Sequence, residues 1–376
     1  MLSQTASSPG KRKLLLAGLL ALGAQLLVSL PFLGTPEVLV RHFDGPNYMV
    51  VAKTLYQPTE VNPMPGYIGS PRYFAVHLPV YPLAVRGFAT FTGYPAGLLL
   101  ATALFGALSA AAFVHYLGAV RPGAAWVPFL LAFLLLPPRS LLYRSIGATE
   151  APMALFVLLV AWAFHRERYH LAFLFASLAT VTRINGVLVI GVLVIALAAR
   201  RRFGLALGGG LAATIPLALV LAWQSHALGT PLAFLQTHSG KKELVPFLYL
   251  RELIDKGDWV GGELLVGLFV LHGLAAARLW SRDLKLESGF VMAHMALFAF
   301  LRETDLSRYF VTVAPFAFVL AWDDVFAHRR VVLPLLLLLG VLGVVYAWAS
   351  VPQNLLDRAV YPHLLDFLSR PLDVRR

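Results

Sequence analysis

Apolar segments alternate with charged turns along almost the whole of this 376-residue chain. Roughly a dozen apolar stretches run from Leu14 to Ser350, and a spanning helix needs about 20 mainly apolar residues. One set of turns is short and basic, whereas the other set is longer and carries acids, arginines, histidines and aromatics. The alternation predicts an all-α polytopic membrane protein with its chemistry on one side of the membrane.

The composition leads to the same class of protein. Hydrophobic residues make up 59% of the chain and charged residues 13%, whereas soluble domains carry about 25% charged residues. We therefore expect lipid to be the main solvent and residues 1–376 to form a single integral-membrane domain. The chain has no cysteine, which excludes disulfides, thiolate catalysis and cysteine metal sites.

The apolar segments predict about eleven spans, within a range of about 10–12. The first segment follows a basic triplet, and its length favours an uncleaved span over a signal peptide. The predicted spans are Leu14–Leu33, Pro95–Val120, Ala124–Leu136, Glu150–Phe164, Leu171–Val181, Gly186–Ala199, Phe203–Trp223, Gly261–Ala277, Ser288–Leu301, Tyr309–Phe326 and Val331–Ser350.

The short basic turns predict the orientation, because short cytoplasmic loops are enriched in lysine and arginine. We expect a cytoplasmic N-terminus and two longer outer connections, residues 34–94 and 223–260. The net charge of +12 is then largely an orientation signal, and no nucleic-acid partner is predicted. The turns assigned to the inner side contain Lys11, Arg12, Lys13, Arg121, Arg166, Arg168, Arg200, Arg201, Arg202, Arg278, Arg282, Lys285, Arg329 and Arg330.

The first outer connection contains an apolar, aromatic stretch, Tyr73–Phe91. As a full span, this stretch would reverse every later turn and place the basic turns outside. We therefore expect an interfacial or re-entrant helix, since aromatic residues suit the headgroup level.

A second interruption divides the apolar stretch from Leu171 to Ala199 at the sequence Thr-Arg-Ile-Asn-Gly, which includes Arg183 and Asn185. Basic residues flank both ends of the stretch, which favours a hairpin of two short helices over one tilted span. Arg183 is then a charge at membrane depth, and such a charge must be paired or hydrated. We predict that it lies in an aqueous cavity open to the outer side, paired with a carboxylate or a phosphate.

Asp44 is the first candidate for chemistry, because it closely follows the first span in an Asp-Gly-Pro turn. Arg41, His42, Asn47 and Tyr48 are near enough in sequence to position it. A purely structural alternative is that Asp44 caps a helix that begins after it.

A second charged cluster begins at Arg302 and ends at Tyr309. Its arginines and acids form either a salt-bridged loop or a phosphate site, since guanidinium groups match phosphate geometry with paired donors. Segments predicted on the same side supply further charges, which favours one shared site. His226 and His238 lack a carboxylate at ligand spacing, so no metal is predicted. The phosphate-site candidates are Tyr48, Arg144, Glu150, Arg183, Asn185, Arg302, Asp305, Arg308 and Tyr309.

Four stretches of the chain, in order, resemble the GT-C-type integral-membrane glycosyltransferases, and in particular the PIG-V-like mannosyltransferases and their bacterial relatives. Each motif is short, and His42-Phe43 stands where the family has a tryptophan before the acidic residue. The four stretches are His42–Tyr56 (HFDGPNYMVVAKTLY), His77–Arg86 (HLPVYPLAVR), Ala179–Val189 (ATVTRINGVLV) and Ser307–Phe316 (SRYFVTVAPF).

The resemblance implies transfer of a hexose, such as mannose, from a polyprenyl-phosphate sugar to a lipid-linked or surface glycan acceptor. The transfer would invert the anomeric carbon on the non-cytoplasmic face of a bacterial cell membrane, with Asp44 as the general base. Asp44 matches the acidic residue of the family motif; Glu150, Glu303 and Asp305 are the alternatives. Among these we favour Asp305, because Arg302 and Arg308 flank it.

A transporter or flippase of a lipid-linked sugar is the alternative function, because it would also need charges at depth. Such folds usually contain paired halves with matching broken helices, and the sequence contains no such repeat. A non-catalytic membrane scaffold is the third class. The chain has no DxD pattern for a metal-bound nucleotide sugar, so neither a metal nor another cofactor is predicted.

Overall fold

A computed structural model of the chain describes residues 9–68, 70–238, 245–302 and 305–372. Across these ranges every regular element is a helix, and one isolated bridge joins His42 to Leu355. The all-α prediction is thus confirmed for the described part of the chain.

The first nine helices carry the chain from the N-terminal apolar segment to the predicted hairpin. Short 3-10 turns cover Leu30–Phe32 and Pro71–Val76. The helices are α1 (Lys11–Ser29), α2 (Glu37–Arg41), α3 (Gly45–Thr54), α4 (Val80–Thr92), α5 (Tyr94–Val120), α6 (Trp126–Leu135), α7 (Arg139–Tyr143), α8 (Glu150–His165) and α9 (Tyr169–Thr180).

The remaining ten helices include three long apolar ones and a strongly bent segment that follows α16. In this segment Phe310–Val313, Pro315–Val319 and Leu320–Trp322 form 3-10 and π turns. The helices are α10 (Gly186–Ala199), α11 (Phe203–Leu228), α12 (Ala233–His238), α13 (Leu248–Asp255), α14 (Trp259–Ser281), α15 (Lys285–Ala299), α16 (Leu306–Tyr309), α17 (Asp323–Ala327), α18 (Arg329–Ser350) and α19 (Tyr361–Ser369).

Long apolar helices make this chain a multi-pass membrane protein, but the count of eleven spans is not confirmed. By length and composition, five helical segments of the described chain could cross a membrane, or six if the segment bent by 70° counts as one. The other five predicted spans fall on helices of 10–16 residues. At 1.5 Å per residue these reach about 15–24 Å, short of a hydrocarbon core of about 30 Å.

Helix α5 lies in the middle of the molecule and packs against α1, α4 and α8. Helix α8 is buried along most of its length. Helix α8 is apolar on every side and is enclosed by other helices, whereas α5 also exposes Leu100, Leu104 and Leu108 on one side. By contrast, α1, α11 and α18 expose many leucines and valines, as lipid-facing helices do.

The long first connection is folded back onto this core. After the turn at Gly93, whose φ of 79° favours glycine, α4 packs against α5. Helix α4 has only 13 residues and is not among the candidate spans. The structure therefore agrees with a short helix in this connection, and its position at the membrane interface stays a prediction.

Candidate functional site

The candidate site is centred on an ion pair between Asp44 and Arg308, which lie 264 residues apart in the chain. Arg308 Nη1 donates to Asp44 Oδ2 at 3.0 Å, and His77 Nε2 lies 3.5 Å from Asp44 Oδ1. The side chain of Asp44 is 18% exposed and that of Arg308 is 6% exposed. The carboxylate is thus within reach of a small group from outside, whereas the arginine is almost enclosed.

Glu150 joins Arg308 to a second arginine. Arg183 Nη1 donates to Glu150 Oε1 at 2.6 Å, and Arg308 Nε also contacts this oxygen. Arg308 Nη2 lies 3.4 Å from Glu150 Oε2. Asp44, Arg308, Glu150 and Arg183 therefore form a continuous chain of alternating charge, which we call the charged cluster.

Aromatic rings and hydroxyl groups fix the orientation of the cluster. The rings of Phe43 and Tyr143 lie 4.3 and 4.8 Å from the Arg308 guanidinium carbon, and the Tyr309 ring lies 5.1 Å from that of Arg183. A guanidinium over an aromatic face is stabilised by the ring quadrupole. Thr149 Oγ1 lies 3.1 Å from Arg183 Nη1 and 3.3 Å from the Tyr48 hydroxyl.

The local backbone explains why Asp44 points into the cluster. Asp44 occupies the N-cap position of α3, but its side chain makes no capping hydrogen bond. A Cβ at Gly45 would lie 2.6 Å from the Val40 carbonyl oxygen, and one at Gly147 would lie 3.0 Å from Gly45 Cα. Only glycine allows such close approach. The capping alternative thus fails, and the turn is pressed against the core.

The C-terminal segment holds the other side of this turn. His42 Nδ1 lies 2.7 Å from the Val351 carbonyl oxygen, and the Phe43 amide donates to the Asn354 carbonyl at 2.9 Å. The Arg41 Nε donates to the Leu356 carbonyl at 2.9 Å. Contacts more than 300 residues apart in sequence therefore position the residue that precedes α3.

The surroundings of Asp44 favour its ionised form. Burial raises the pKa of this carboxyl group, but the hydrogen bond with His77 and the charges of Arg308 and His77 outweigh burial. The pKa of Asp44 therefore lies below its ordinary range. A carboxylate this acidic is a weak base until one of its partners is drawn away.

Arg302 and Asp305 have ion-pair partners outside the cluster, and Asp305 as an alternative base stays a prediction. Arg302 Nε lies 2.5 Å from Glu252. Asp305 contacts Arg139 and accepts a hydrogen bond from the Tyr143 hydroxyl at 2.8 Å. The chain folds these two side chains toward different helices, which local sequence did not reveal. Glu303 lies outside the described residues.

Arg144 and Asn185 are close in sequence to residues of the site, and both are buried. Their side chains differ in their contacts from those of the charged cluster. Arg144 donates to Ser109 Oγ at 2.7 Å and lies over the Phe133 ring at 4.1 Å. Neither polar atom of the Asn185 side chain has a hydrogen-bond partner within the described part of the chain. The structure therefore separates Arg144 from the shared site predicted for it.

His77 is the site residue that sequence reasoning missed. It is 4% exposed, and its ring packs edge-on against Tyr48 at 5.1 Å between centroids. It begins one of the four stretches that carry the family resemblance, and this was the available signal. Each of the four stretches contributes one residue here: Asp44, His77, Arg183 and Arg308.

No protein-family model, curated protein or solved structure matches this chain. Any function must therefore be inferred from the residues of this chain and from their geometry.

Proposed function

We propose that this protein is a membrane glycosyltransferase that moves a hexose, such as mannose, from a polyprenyl-phosphate sugar to a lipid-linked or surface glycan. The charged cluster is the observation that carries the proposal. It places one accessible carboxylate, Asp44, beside Arg308, which shares Glu150 with Arg183, and guanidinium groups are suited to a phosphate. The meeting of all four motif stretches at this cluster supports the same reading.

In the proposed reaction Asp44 accepts the proton of the acceptor hydroxyl. The hydroxyl oxygen bonds to the anomeric carbon as the bond from that carbon to the phosphate oxygen breaks, with inversion. Polyprenyl phosphate leaves with the electron pair, and Arg308 and Arg183 stabilise its charge. A phosphate is a good leaving group, so a second carboxylate acting as a general acid is not required, unlike in glycoside hydrolysis.

The contacts of Arg308 suggest how Asp44 becomes basic enough. In the free protein, its donors serve Asp44 and Glu150. A bound phosphate competes for these donors, which weakens the hold on Asp44 and raises the pKa of its carboxyl group. A base whose pKa is closer to the working pH is the better catalyst.

The proposal includes a location. The donor and acceptor would meet on the non-cytoplasmic face of a bacterial cell membrane, with the N-terminus in the cytoplasm. The basis is the distribution of basic turns.

The test is transfer of labelled sugar from polyprenyl-phosphate mannose and glucose by purified protein in lipid nanodiscs. Asp44→Asn keeps the shape but cannot accept a proton, so we expect turnover to fall by about 10²–10⁴-fold. Donor affinity should change little, whereas the melting temperature should fall because Arg308 loses one of its two counter-charges. Asp283→Asn is the matched control, because Asp283 is exposed and pairs with Lys285 rather than with the cluster.

Near wild-type turnover of Asp44→Asn would contradict the assignment of the base. Absence of transfer to any lipid-linked or glycan acceptor, with movement of the intact lipid-linked sugar across the bilayer, would favour the transporter.

A further inference from the structure

A cavity of about 290 Å³ lies beside α3, under the loop that follows it. Val50 and Thr54 of α3 form its floor, and residues 56–63 with Ile68, Pro71 and Phe74 form its walls. Its volume is just below the range of drug-sized small-molecule sites, about 300–1,000 Å³. The cavity is thus large enough for a small ligand and separate from the charged cluster.

The loop over the cavity is held in place by its own contacts. Asn62 Nδ2 donates to the Ile68 carbonyl at 3.2 Å, and Asn62 Oδ1 accepts from the Met64 amide at 3.0 Å. Met64 is fully buried. The cavity is therefore formed in advance, which lowers the entropic cost of binding.

The cavity is connected to Asp44 through two short paths. The Tyr56 hydroxyl in its wall donates to the His77 carbonyl at 2.8 Å, and the His77 ring contacts Asp44. Along α3, Val50 follows Asp44 by six residues, or about 9 Å. The cavity therefore lies beside the same helix as the carboxylate, within about two turns of it.

The residues that line the cavity suit a neutral sugar of the acceptor better than the phosphate of the donor. Among the described residues that line the cavity, none is lysine or arginine, and Glu60 is one of them. A phosphate would have no cation to bind here. The lining residues include Thr54, Gln57 and Thr59 as well as prolines and Phe74, a mixture of residue types that suits the hydroxyl groups and the apolar faces of a sugar ring.

We propose that this cavity binds a neutral sugar unit of the acceptor, adjacent to the unit whose hydroxyl attacks. That this sugar belongs to the acceptor rests on the proposed function. Binding of a neutral sugar in the cavity is tested independently of transfer.

The test is saturation-transfer NMR of methyl α-mannoside and methyl α-glucoside with the protein in nanodiscs. Inorganic phosphate is added as an anionic competitor and should leave the sugar signal unchanged, because the described lining residues include no lysine or arginine. Val50→Phe fills the cavity and should lower the sugar signal at least about fivefold. Gln57→Ala removes one amide and should weaken binding about 2–10-fold. Val341→Phe, on the exposed face of α18, is the matched control and should leave the signal unchanged.

If transfer is observed, Gln57→Ala should raise the acceptor KM with little change in kcat or in donor KM. Equal sugar signals in wild type and in both cavity variants, or no sugar signal at all, would overturn the cavity assignment even if transfer is active. Cavity-dependent binding without any transfer would instead retain the sugar site and reject the proposed enzyme. Since Val50→Phe could fail to fold, its melting temperature is measured first, and Gln57→Ala then decides.

Discussion

At the scale of single residues, the charged cluster is defined by pairing between buried groups. Glu150 has only 2% of its side chain exposed and serves both Arg183 and Arg308. Removing one partner of a buried ion pair leaves an uncompensated charge, which is far more costly than losing an exposed pair. Glu150 therefore has a stabilising role in addition to any role in binding.

Glu150→Gln should lower the free energy of unfolding by about 3–5 kcal/mol, because two arginines lose their shared counter-charge. The loss is measured as a fall in the unfolding midpoint of the protein in detergent. Asp305→Asn is the comparison and should cost less, since the Asp305 side chain is 25% exposed. Equal losses in the two variants would show that the Glu150 pairs contribute little.

A second prediction at this scale concerns pH. His77→Phe keeps an aromatic ring against Tyr48 but removes the hydrogen bond to Asp44, so the pKa of Asp44 should rise. The acidic limb of the kcat profile should then move to higher pH by about 1 unit. His77→Gln, which retains a donor, should move it less. A limb that stays in place in both variants would separate His77 from Asp44.

The lowered pKa of Asp44 also makes the stability of the folded protein depend on pH. Because folding lowers the pKa of Asp44, its ion pair stabilises the native protein above the pKa of the unfolded carboxyl group. This contribution is lost as the pH falls through the lower pKa of the folded state.

At the scale of elements, the break between α9 and α10 brings Arg183 to the cluster. The two helices pack against each other, as a hairpin requires. A Cβ at Gly186 would lie 2.4 Å from the Ala179 carbonyl carbon, and no rotamer change relieves a contact with backbone. The closeness of the two helices therefore depends on this glycine.

Gly186→Ala should force the helices apart, lower the melting temperature and weaken donor binding through displacement of Arg183. Gly191→Ala in the same helix is the matched control, since a Cβ there meets nothing within 4 Å. Alanine is favoured over glycine within a helix by about 1 kcal/mol, so this control should be neutral or more stable. The contrast is measured by thermal unfolding and by titration with polyprenyl phosphate.

At the scale of the whole molecule, two groups of charges lie near opposite ends of α5. Leu98, near its first turn, contacts Gly45 beside Asp44, whereas Arg121 at its other end pairs with Asp323. Arg121 follows Leu98 by 23 positions, which corresponds to about 35 Å along a helix, close to a bilayer core of about 30 Å. This separation fits a protein with one group of charges at each membrane surface.

Single cysteines can test the orientation without background, because the chain has none of its own. Val61→Cys, in the exposed loop after α3, should react with an impermeant maleimide added outside intact cells. Arg201→Cys, in the exposed turn between α10 and α11, should react only after the membrane is opened. Labelling of both from one side would reject the predicted topology.

Much of the fold was readable from the order of the residues. Apolar periodicity predicted the helical membrane class, and the interruption around Arg183 predicted two short helices. The number of spans could not be read from the sequence, because helices such as α6 are as apolar as membrane spans but too short to cross the membrane. An apolar segment indicates burial, but burial inside a protein and burial in lipid give the same sequence pattern.

For the site, the sequence by itself determined that Asp44, Arg183 and Arg308 lie at the breaks between apolar segments. Only the tertiary structure decided that Glu150 bridges the two arginines, that His77 joins Asp44, and that Asp305 pairs with Arg139. The reason is distance along the chain: residues 33 to 162 positions apart meet because of how the helices pack, and local patterns carry no record of that packing.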